Sequence, residues 1–320
     1  MAMKLLQKTV VEAVSRETDR VRAVTLRHAY RPQLQSFEAG AHVTVQLPNG
    51  IRRPYSLCSD PADSVTYRIG VLLEAGSRGG GIGVHALRPG DELFVTYPAN
   101  QFQLTAEPGH SVLIAGGIGI TPILAMIYEC VRNERSFELH YCGRTLQDMA
   151  FLEEIRTLCP ADRLFLYADE DPTAPRRLDF EELLTGMSET THAYCCGPAG
   201  MLEAYQRTAV SLAISAERIH FEQFSALAAS DNRFGPAFQI EISKTGETFE
   251  VSEQQTALEA LHEHGIDVPF SCEGGICGEC RTELLSGDVD HRDKVLGEDE
   301  RQRAFMPCVS RGRGRIVIDP

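Results

Sequence analysis

The segment Ser271-Cys272-Glu273-Gly274-Gly275-Ile276-Cys277-Gly278-Glu279-Cys280, with Met306-Pro307-Cys308 following at a distance, carries the most specific signal in the chain. Its spacing, C-x4-C-x2-C and then a distant cysteine, is one at which four thiolates hold a [2Fe–2S] cluster. Each of two irons takes two sulfur ligands besides the bridging sulfides, so Cys272, Cys277, Cys280 and Cys308 make a complete set. Gly274, Gly275 and Gly278 let the loop wrap tightly and aim backbone N–H groups at sulfur, where negative charge accumulates. A structural zinc site would use paired C-x2-C knuckles, and only one such pair is present here.

The region around this loop, Ala237–Pro320, opens with alternating strands marked by Phe238, Ile240 and Ile242 and then by Phe249 and Val251. One helix follows. Thr256 and Glu259 form a capping-box pattern, Ala257, Leu258 and Leu261 an apolar stripe, and Gly265 its end. Upstream, Ala226–Pro236 (ALAASDNRFGP) is small, polar and closed by Gly-Pro, the composition of a linker.

From Gly109 to Phe224 the texture is strand, turn, helix. Val112–Ala115, Glu138–Cys142, Arg163–Ala168 and His192–Cys196 read as buried strands, Leu152, Ile155 and Leu158 have helical spacing, and Thr145 with Asp148 frames a helix start. Repeated strand–helix units predict a mostly parallel sheet with helices on both faces. Nearer the N-terminus, Val21, Ala23, Thr25 and Val43, Val45, Leu47 alternate with a period of two, and Pro48-Asn49-Gly50 is a hairpin signal. Many short strands there predict a small antiparallel β-barrel. The expected fold is multidomain: a barrel over 1–106, an α/β nucleotide-binding domain over 107–225, a linker over 226–236 and an α+β domain over 237–320.

Composition narrows the function. The 320 residues are 43% hydrophobic and 24% charged, which excludes wholesale disorder. Lys+Arg 31 against Asp+Glu 45 leaves a net charge of −14, which excludes a nucleic-acid partner, since phosphate binding needs clustered cations. Ala237–Pro320 holds 17 acidic and 9 basic residues, so this short segment carries most of the excess and suits docking on a basic protein surface. Val112–Tyr128 imitates a membrane span but is broken by glycines and Pro122, so no membrane segment is expected. Met1–Val10 shows no secretory signal, and ten cysteines without one predict a reducing, cytoplasmic setting.

Three further motifs bear chemistry. Arg53-Pro54-Tyr55-Ser56-Leu57 follows the hairpin: Tyr55 can pack along a flat ring, Ser56 can hydrogen-bond to it, and Arg53 offers a fixed cation. Ser77-Arg78-Gly79-Gly80-Gly81 joins exposed backbone donors to an arginine that can clamp a phosphate. Gly116-Gly117-Ile118-Gly119-Ile120-Thr121-Pro122 follows a strand and opens a helix, where glycines admit a pyrophosphate to free N–H groups. Arg144 can contact a dinucleotide after the second strand. No basic cluster stands there for a 2′-phosphate and Asp169, Glu170 and Asp171 add negative charge, which favours NADH over NADPH.

With these residues in view, the region from Phe238 to Ile318 resembles a plant-type ferredoxin domain of β-grasp fold. That resemblance implies Cys272 and Cys277 on one iron and Cys280 and Cys308 on the other. Arg53-Pro54-Tyr55-Ser56 resembles the R-x-Y-S motif of ferredoxin–NADP reductase-like flavoproteins. Gly116–Pro122 matches their G-G-x-G-x-T-P nicotinamide motif, and Cys196-Gly197-Pro198 their C-G-P motif, whose cysteine lies near the nicotinamide. Arg78, Gly79, Gly80 and Gly81 are similar to the FMN-phosphate segment of the phthalate dioxygenase reductase family, which implies FMN over FAD. Phe224 stands where that family places an aromatic against the flavin; a core phenylalanine is the alternative.

The order flavin barrel, nucleotide domain, C-terminal ferredoxin resembles the phthalate dioxygenase and vanillate demethylase reductase group. The resemblance implies FMN, NADH and a [2Fe–2S] cluster as cofactors and a terminal Rieske-type oxygenase as protein partner, with catalytic roles for Ser56, Cys196 and Phe224. A hydride delivers two electrons while a cluster accepts one, so a flavin must stand between them. An exposed ferredoxin domain is compatible with a monomer. Two other readings remain: an FAD-dependent reductase of a diiron monooxygenase, and an iron–sulfur redox sensor, against which the intact nicotinamide motif argues.

Overall fold

The computed structural model describes residues 6–48, 51–74, 79–171, 176–224, 234–270, 274–275 and 278–320. Asn49 and Gly50 of the expected hairpin, most of the linker, Ser77, Arg78, Cys272 and Cys277 lie outside the described residues. The chain forms two compact units, Met1–Gln223 and Phe224–Pro320.

The first unit begins with six strands: β1 (Leu6–Arg16), β2 (Val21–His28), β3 (His42–Gln46), β4 (Arg52–Ser56), β5 (Thr66–Leu72) and β6 (Glu92–Thr96), with the short helix α1 (Gly80–His85) before β6. Their order is β4-β3-β6-β1-β2-β5, all neighbours antiparallel. An antiparallel bridge from Leu57 to Ile69 joins the two edges and closes the barrel. Alternate residues such as Val24, Leu26, Val43, Val45, Ile69 and Val95 fill its interior.

The same unit continues with β7 (Ser111–Gly116), α2 (Ile120–Arg132), β8 (Phe137–Gly143), α3 (Leu152–Leu158), β9 (Leu164–Ala168), α4 (Phe180–Thr185), β10 (His192–Cys196), α5 (Ala199–Ser211) and β11 (Ile219–Glu222). The parallel sheet has the order β11-β10-β7-β8-β9 and reverses direction between β7 and β10. Alternation sorts its side chains. Leu113, Ala115, Tyr194 and Cys196 join α2, α3 and the barrel residues Val21, Ala23 and Cys58 in one core, while Val112, Ile114, Ala193 and Cys195 meet α4 and α5 in another. Adjacent Cys195 and Cys196 therefore face opposite layers. One expectation fails locally: Thr145 and Asp148 frame a 3-10 turn over Leu146–Asp148, and α3 begins only after Phe151.

The second unit comprises β12 (Phe238–Ile242), β13 (Thr248–Val251), α6 (Ala257–Glu263), β14 (Thr282–Asp290), α7 (Glu298–Arg301), β15 (Ala304–Phe305) and β16 (Arg311–Asp319). Its mixed sheet runs β13-β12-β16-β14-β15 with β12 and β16 parallel, and α6 buries Ala257, Leu258, Ala260 and Leu261. The Thr256–Glu259 capping box forms in both directions and Gly265, at φ 73°, follows the helix. Glu298-Asp299-Glu300 forms α7, where Glu300 accepts from Gly297 N–H at 3.1 Å and pairs with Arg281 at 2.8 Å. Among the described residues no helix is long and apolar enough to cross a membrane.

Candidate active site and cluster loop

Strand β4 presents the first motif. Val45 pairs with Arg53, Val43 with Tyr55 and His42 with Ser56, so Arg53 and Tyr55 share one side of the strand. Gly80 abuts that side: a Cβ there would lie 2.8 Å from Arg53 Cγ and 3.5 Å from the Tyr55 hydroxyl. Gly79 precedes it at φ 90°, a conformation that requires glycine. Gly80 and Gly81 open α1. Burial pushes the Tyr55 phenol up to about 12, against the pull of the Arg53 cation, so the ring stays neutral.

The second motif lies where the parallel sheet reverses, the crevice in which such sheets bind nucleotides. Strand β7 ends at Gly116, a 3-10 turn covers Gly117–Gly119, and Thr121 and Pro122 sit in the first turn of α2. Behind, the turn is closed. A Cβ on Gly116 would meet Met201 Sδ at 2.6 Å and Pro198 Cδ at 2.7 Å, and one on Gly119 would meet Cys196 O at 2.2 Å. In front, a Cβ on Gly117, at φ 54°, would meet nothing within 4 Å. Closed glycine packing on one side and open space on the other is a cradle that fits a dinucleotide. Arg144 is exposed beyond β8, with its Nη2 3.7 Å from Asp148 Oδ1.

The two motifs converge on a residue that the sequence reading passed over. Ser56 Oγ stands 3.3 Å from Glu222 Oε2, and Glu222 is the register partner of Cys196 on the neighbouring strand. Glu222 is half-buried as a residue while its carboxyl is sunk in the protein. Burial raises that carboxyl to about 8, and the Ser56 hydrogen bond pulls the other way. Cys196 is fully buried, and burial first, then Glu222, lifts its thiol well above the ordinary range. Ser56, Cys196 and Glu222 thus make a neutral, proton-bearing group between the flavin motif and the nicotinamide turn. The available signal was a carboxylate closing the short last strand Ile219-His220-Phe221-Glu222. Phe224 is exposed and begins the second unit.

In the second unit Cys280 and Cys308 are both buried, at 2% exposure. Gly275 and Gly278 have φ of 70° and 75°. The first turn of α6 helps to hold the distal cysteine, because Leu258 N–H donates to Pro307 O at 3.0 Å. Lys294 N–H donates to Gly275 O at 2.9 Å, and buried Asp293 accepts from Leu296 N–H at 2.8 Å and from Ser310 Oγ at 3.3 Å. One network therefore braces the glycine loop and the Cys308 turn. Two buried thiols, with positive-φ glycines beside Cys280, fit a cluster loop. Cys272 and Cys277 lie outside the described residues.

Comparison with known proteins agrees with both halves. Residues 113–207 match the oxidoreductase NAD-binding domain and residues 240–312 the 2Fe-2S iron-sulfur cluster binding domain. The chain is 41% identical over 317 residues to the heme-dependent oxidative N-demethylase beta subunit of Ectopseudomonas mendocina, covering 99% of each. It is 37% identical over 312 residues to the vanillate O-demethylase oxidoreductase of Acinetobacter baylyi, covering 97% of each. Among solved structures it superposes on phthalate dioxygenase reductase, described as a modular structure for electron transfer from pyridine nucleotides to [2Fe–2S], with a TM-score of 0.81 and 34% identity over 98% of both chains. A barrel bearing the flavin motif, a pyridine-nucleotide sheet and a C-terminal iron–sulfur domain recur here in that order, and the chain is an electron-transfer oxidoreductase belonging to the phthalate dioxygenase reductase family.

Proposed function

We propose that the protein is the NADH-dependent reductase component of a Rieske-type oxygenase system, with FMN as its flavin. The observation that carries its NADH-to-flavin step is the meeting of the two motifs at Glu222, with Ser56 3.3 Å away on the flavin side and Cys196 beside it on the nicotinamide side, and the likeness to phthalate dioxygenase reductase supports the oxygenase partner. A bound flavin would supply the conversion between the hydride's two electrons and the single electrons that a [2Fe–2S] cluster takes up.

The chain's own residues do the rest. Arg53 and Tyr55 with Gly80 hold the flavin edge, and Gly79–Gly81 with Arg78 take its phosphate. The Gly116–Pro122 turn and Gly197-Pro198 would seat the dinucleotide, with Cys196 beneath the nicotinamide end. Glu222 keeps its proton near neutrality and, through its contact with Ser56 Oγ, would exchange it with the ring nitrogen of a bound flavin as the flavin gains and loses electrons. Cys272, Cys277, Cys280 and Cys308 hold the cluster. The aromatic or amine substrate needs no group on this chain, because its chemistry belongs to the oxygenase. The acidic C-terminal segment docks on a basic patch of that partner.

A second reading, a haem-containing oxygenase partner, is favoured by the relative at 41% identity, a subunit of a heme-dependent demethylase. Reconstitution with purified oxygenases separates the two. NADH-driven reduction of a Rieske centre, weakened by salt while NADH oxidation by an artificial acceptor hardly changes, supports the first reading. Reduction of a haem oxygenase alone supports the second. Chromatography of the acid-released flavin tests FMN, and FAD in the eluate contradicts it.

A further inference from the structure

Strand β5 joins the two halves of the hydride-transfer site, and we infer that the Arg68–Glu154 ion pair, with the Gly70–Phe151 contact beside it, is the positioning device that sets the nicotinamide turn against the flavin motif. On its barrel side this segment is bonded to the residues that directly follow the flavin motif. Cys58 N–H donates to Arg68 O at 2.8 Å, Arg68 Nη2 donates to Cys58 O at 2.8 Å, and Leu57 bridges to Ile69.

On its other side it grips the nucleotide domain. Arg68 makes a two-pronged pair with Glu154 of α3, at 2.9 and 2.5 Å, and its guanidinium lies over the Phe151 ring at 5.1 Å. Tyr128 of α2 donates to the same carboxylate. Gly70 lies so close that a Cβ there would stand 2.8 Å from Thr121 Cγ2 and 3.0 Å from the Phe151 ring. Thr121 belongs to the nicotinamide turn.

A second tether reaches that turn from the same place. The buried Tyr141 hydroxyl lies 3.3 Å from Gly117 O and 3.2 Å from Ala150 O, so it ties Gly117 to the residue before Phe151. Phe151 itself has φ 61°, rare and costly for a bulky side chain. Strain there is held by the packing around it, and it orients the ring under Arg68 and against Gly70. The path runs from Ser56 through Cys58, Arg68, Phe151 and Ala150 to Gly117 and Thr121, every step within unit one.

This inference rests on the proposed NADH-to-flavin hydride transfer, in which the nicotinamide is oxidised and the flavin reduced by two electrons. The test uses the full-length holoprotein and the variants Arg68→Gln, Arg68→Lys, Glu154→Gln and Gly70→Ala. Asp60→Asn serves as a control, since its pair with Arg132 at 2.5 Å also crosses from the barrel to α2 but is more exposed. Stopped-flow flavin reduction by NADH is expected to slow about tenfold or more in Gly70→Ala, Arg68→Gln and Glu154→Gln, because ångström-scale misplacement is enough for such losses. KM for NADH is expected within about twofold in Arg68→Gln and Glu154→Gln, since neither residue belongs to the dinucleotide cradle. The long-wavelength charge-transfer absorbance formed when NAD+ is added to photoreduced protein is expected to weaken in parallel and to recover in part in Arg68→Lys.

A normal charge-transfer band and hydride-transfer rate in these variants, with only a lower melting temperature, overturns the inference. So does an equal loss in Asp60→Asn. If Arg68→Gln does not fold, Glu154→Gln and Arg68→Lys decide. Failure of the unsubstituted protein to reduce its flavin with NADH would instead remove the proposed function.

Discussion

Glu222 closes β11 at the C-terminal edge of the parallel sheet, whereas Glu138 stands near the start of β8 at the opposite edge. The two carboxyls are held in opposite states. Glu138 is drawn down to about 2 by hydrogen bonding to His110 and then His140, whose Nε2 is 3.1 Å from Oε1. His140 is in turn stacked on Phe165 and within 3.0 Å of the Tyr167 hydroxyl. Glu222 has one serine hydroxyl and is raised to about 8. The fold thus saturates a carboxylate where only stability is needed and leaves one poorly solvated at the edge where nucleotides bind.

Breaking that asymmetry at Glu222 should have the largest consequence. In Glu222→Gln the rate of flavin reduction by NADH is expected to fall about 10- to 100-fold with little change in KM, as for loss of a proton-transfer group. Its pH profile should lose the inflection near 8, and an unchanged profile would remove Glu222 from the chemistry. Stability gives an independent check. The folded protein keeps this proton up to about pH 8, while the unfolded chain releases it near 4.5. Wild-type stability should therefore decline as pH rises through that window, and Glu222→Gln should flatten the decline, measured by urea unfolding.

The opposite substitution sharpens the contrast. Glu138 binds fewer protons folded than unfolded between about 2 and 4.5, so its stabilisation is full above pH 4.5 and is lost as pH falls towards 2. Glu138→Gln should cost about 1–3 kcal/mol at neutral pH, the range for hydrogen bonds to a charged group, with hydride transfer unchanged. A drop in hydride transfer would mean that the two edges are not independent. The smallest effect belongs to the second unit. Thr256→Ala removes the α6 cap and should cost about 1 kcal/mol there by urea unfolding, without altering NADH oxidation by an artificial acceptor.

What could be read from the sequence was whatever is encoded locally. The cysteine spacing, Gly116–Pro122, Cys196-Gly197-Pro198 and the Thr256–Glu259 box are each short patterns set by near neighbours, and strand periodicity marked some members of each sheet, such as β2, β3, β7 and β12, but not β14 or β16. Glu222 was missed because its role comes from a serine 166 positions away and from register with β10. Phe151 gives no local signal for a positive φ, since that conformation is imposed by packing and not by glycine. Thr145 and Asp148 do bond to each other at 2.8 Å, but across a 3-10 turn with no side-chain cap, because the chain uses Met149–Phe151 to reach the barrel seam before α3 can start. Gly80 and Gly81 enter a helix because Gly79 supplies the positive φ ahead of them.

Anaerobic mixing of the holoprotein with one equivalent of NADH, followed by absorbance and by electron paramagnetic resonance of rapidly frozen samples, tests the route of the electrons. The account predicts bleaching of the flavin band first, then the paramagnetic signal of a reduced [2Fe–2S] cluster at a slower rate, with the first phase slowed in Glu222→Gln. Cluster reduction that precedes or bypasses the flavin, or a flavin that stays oxidised, would contradict it.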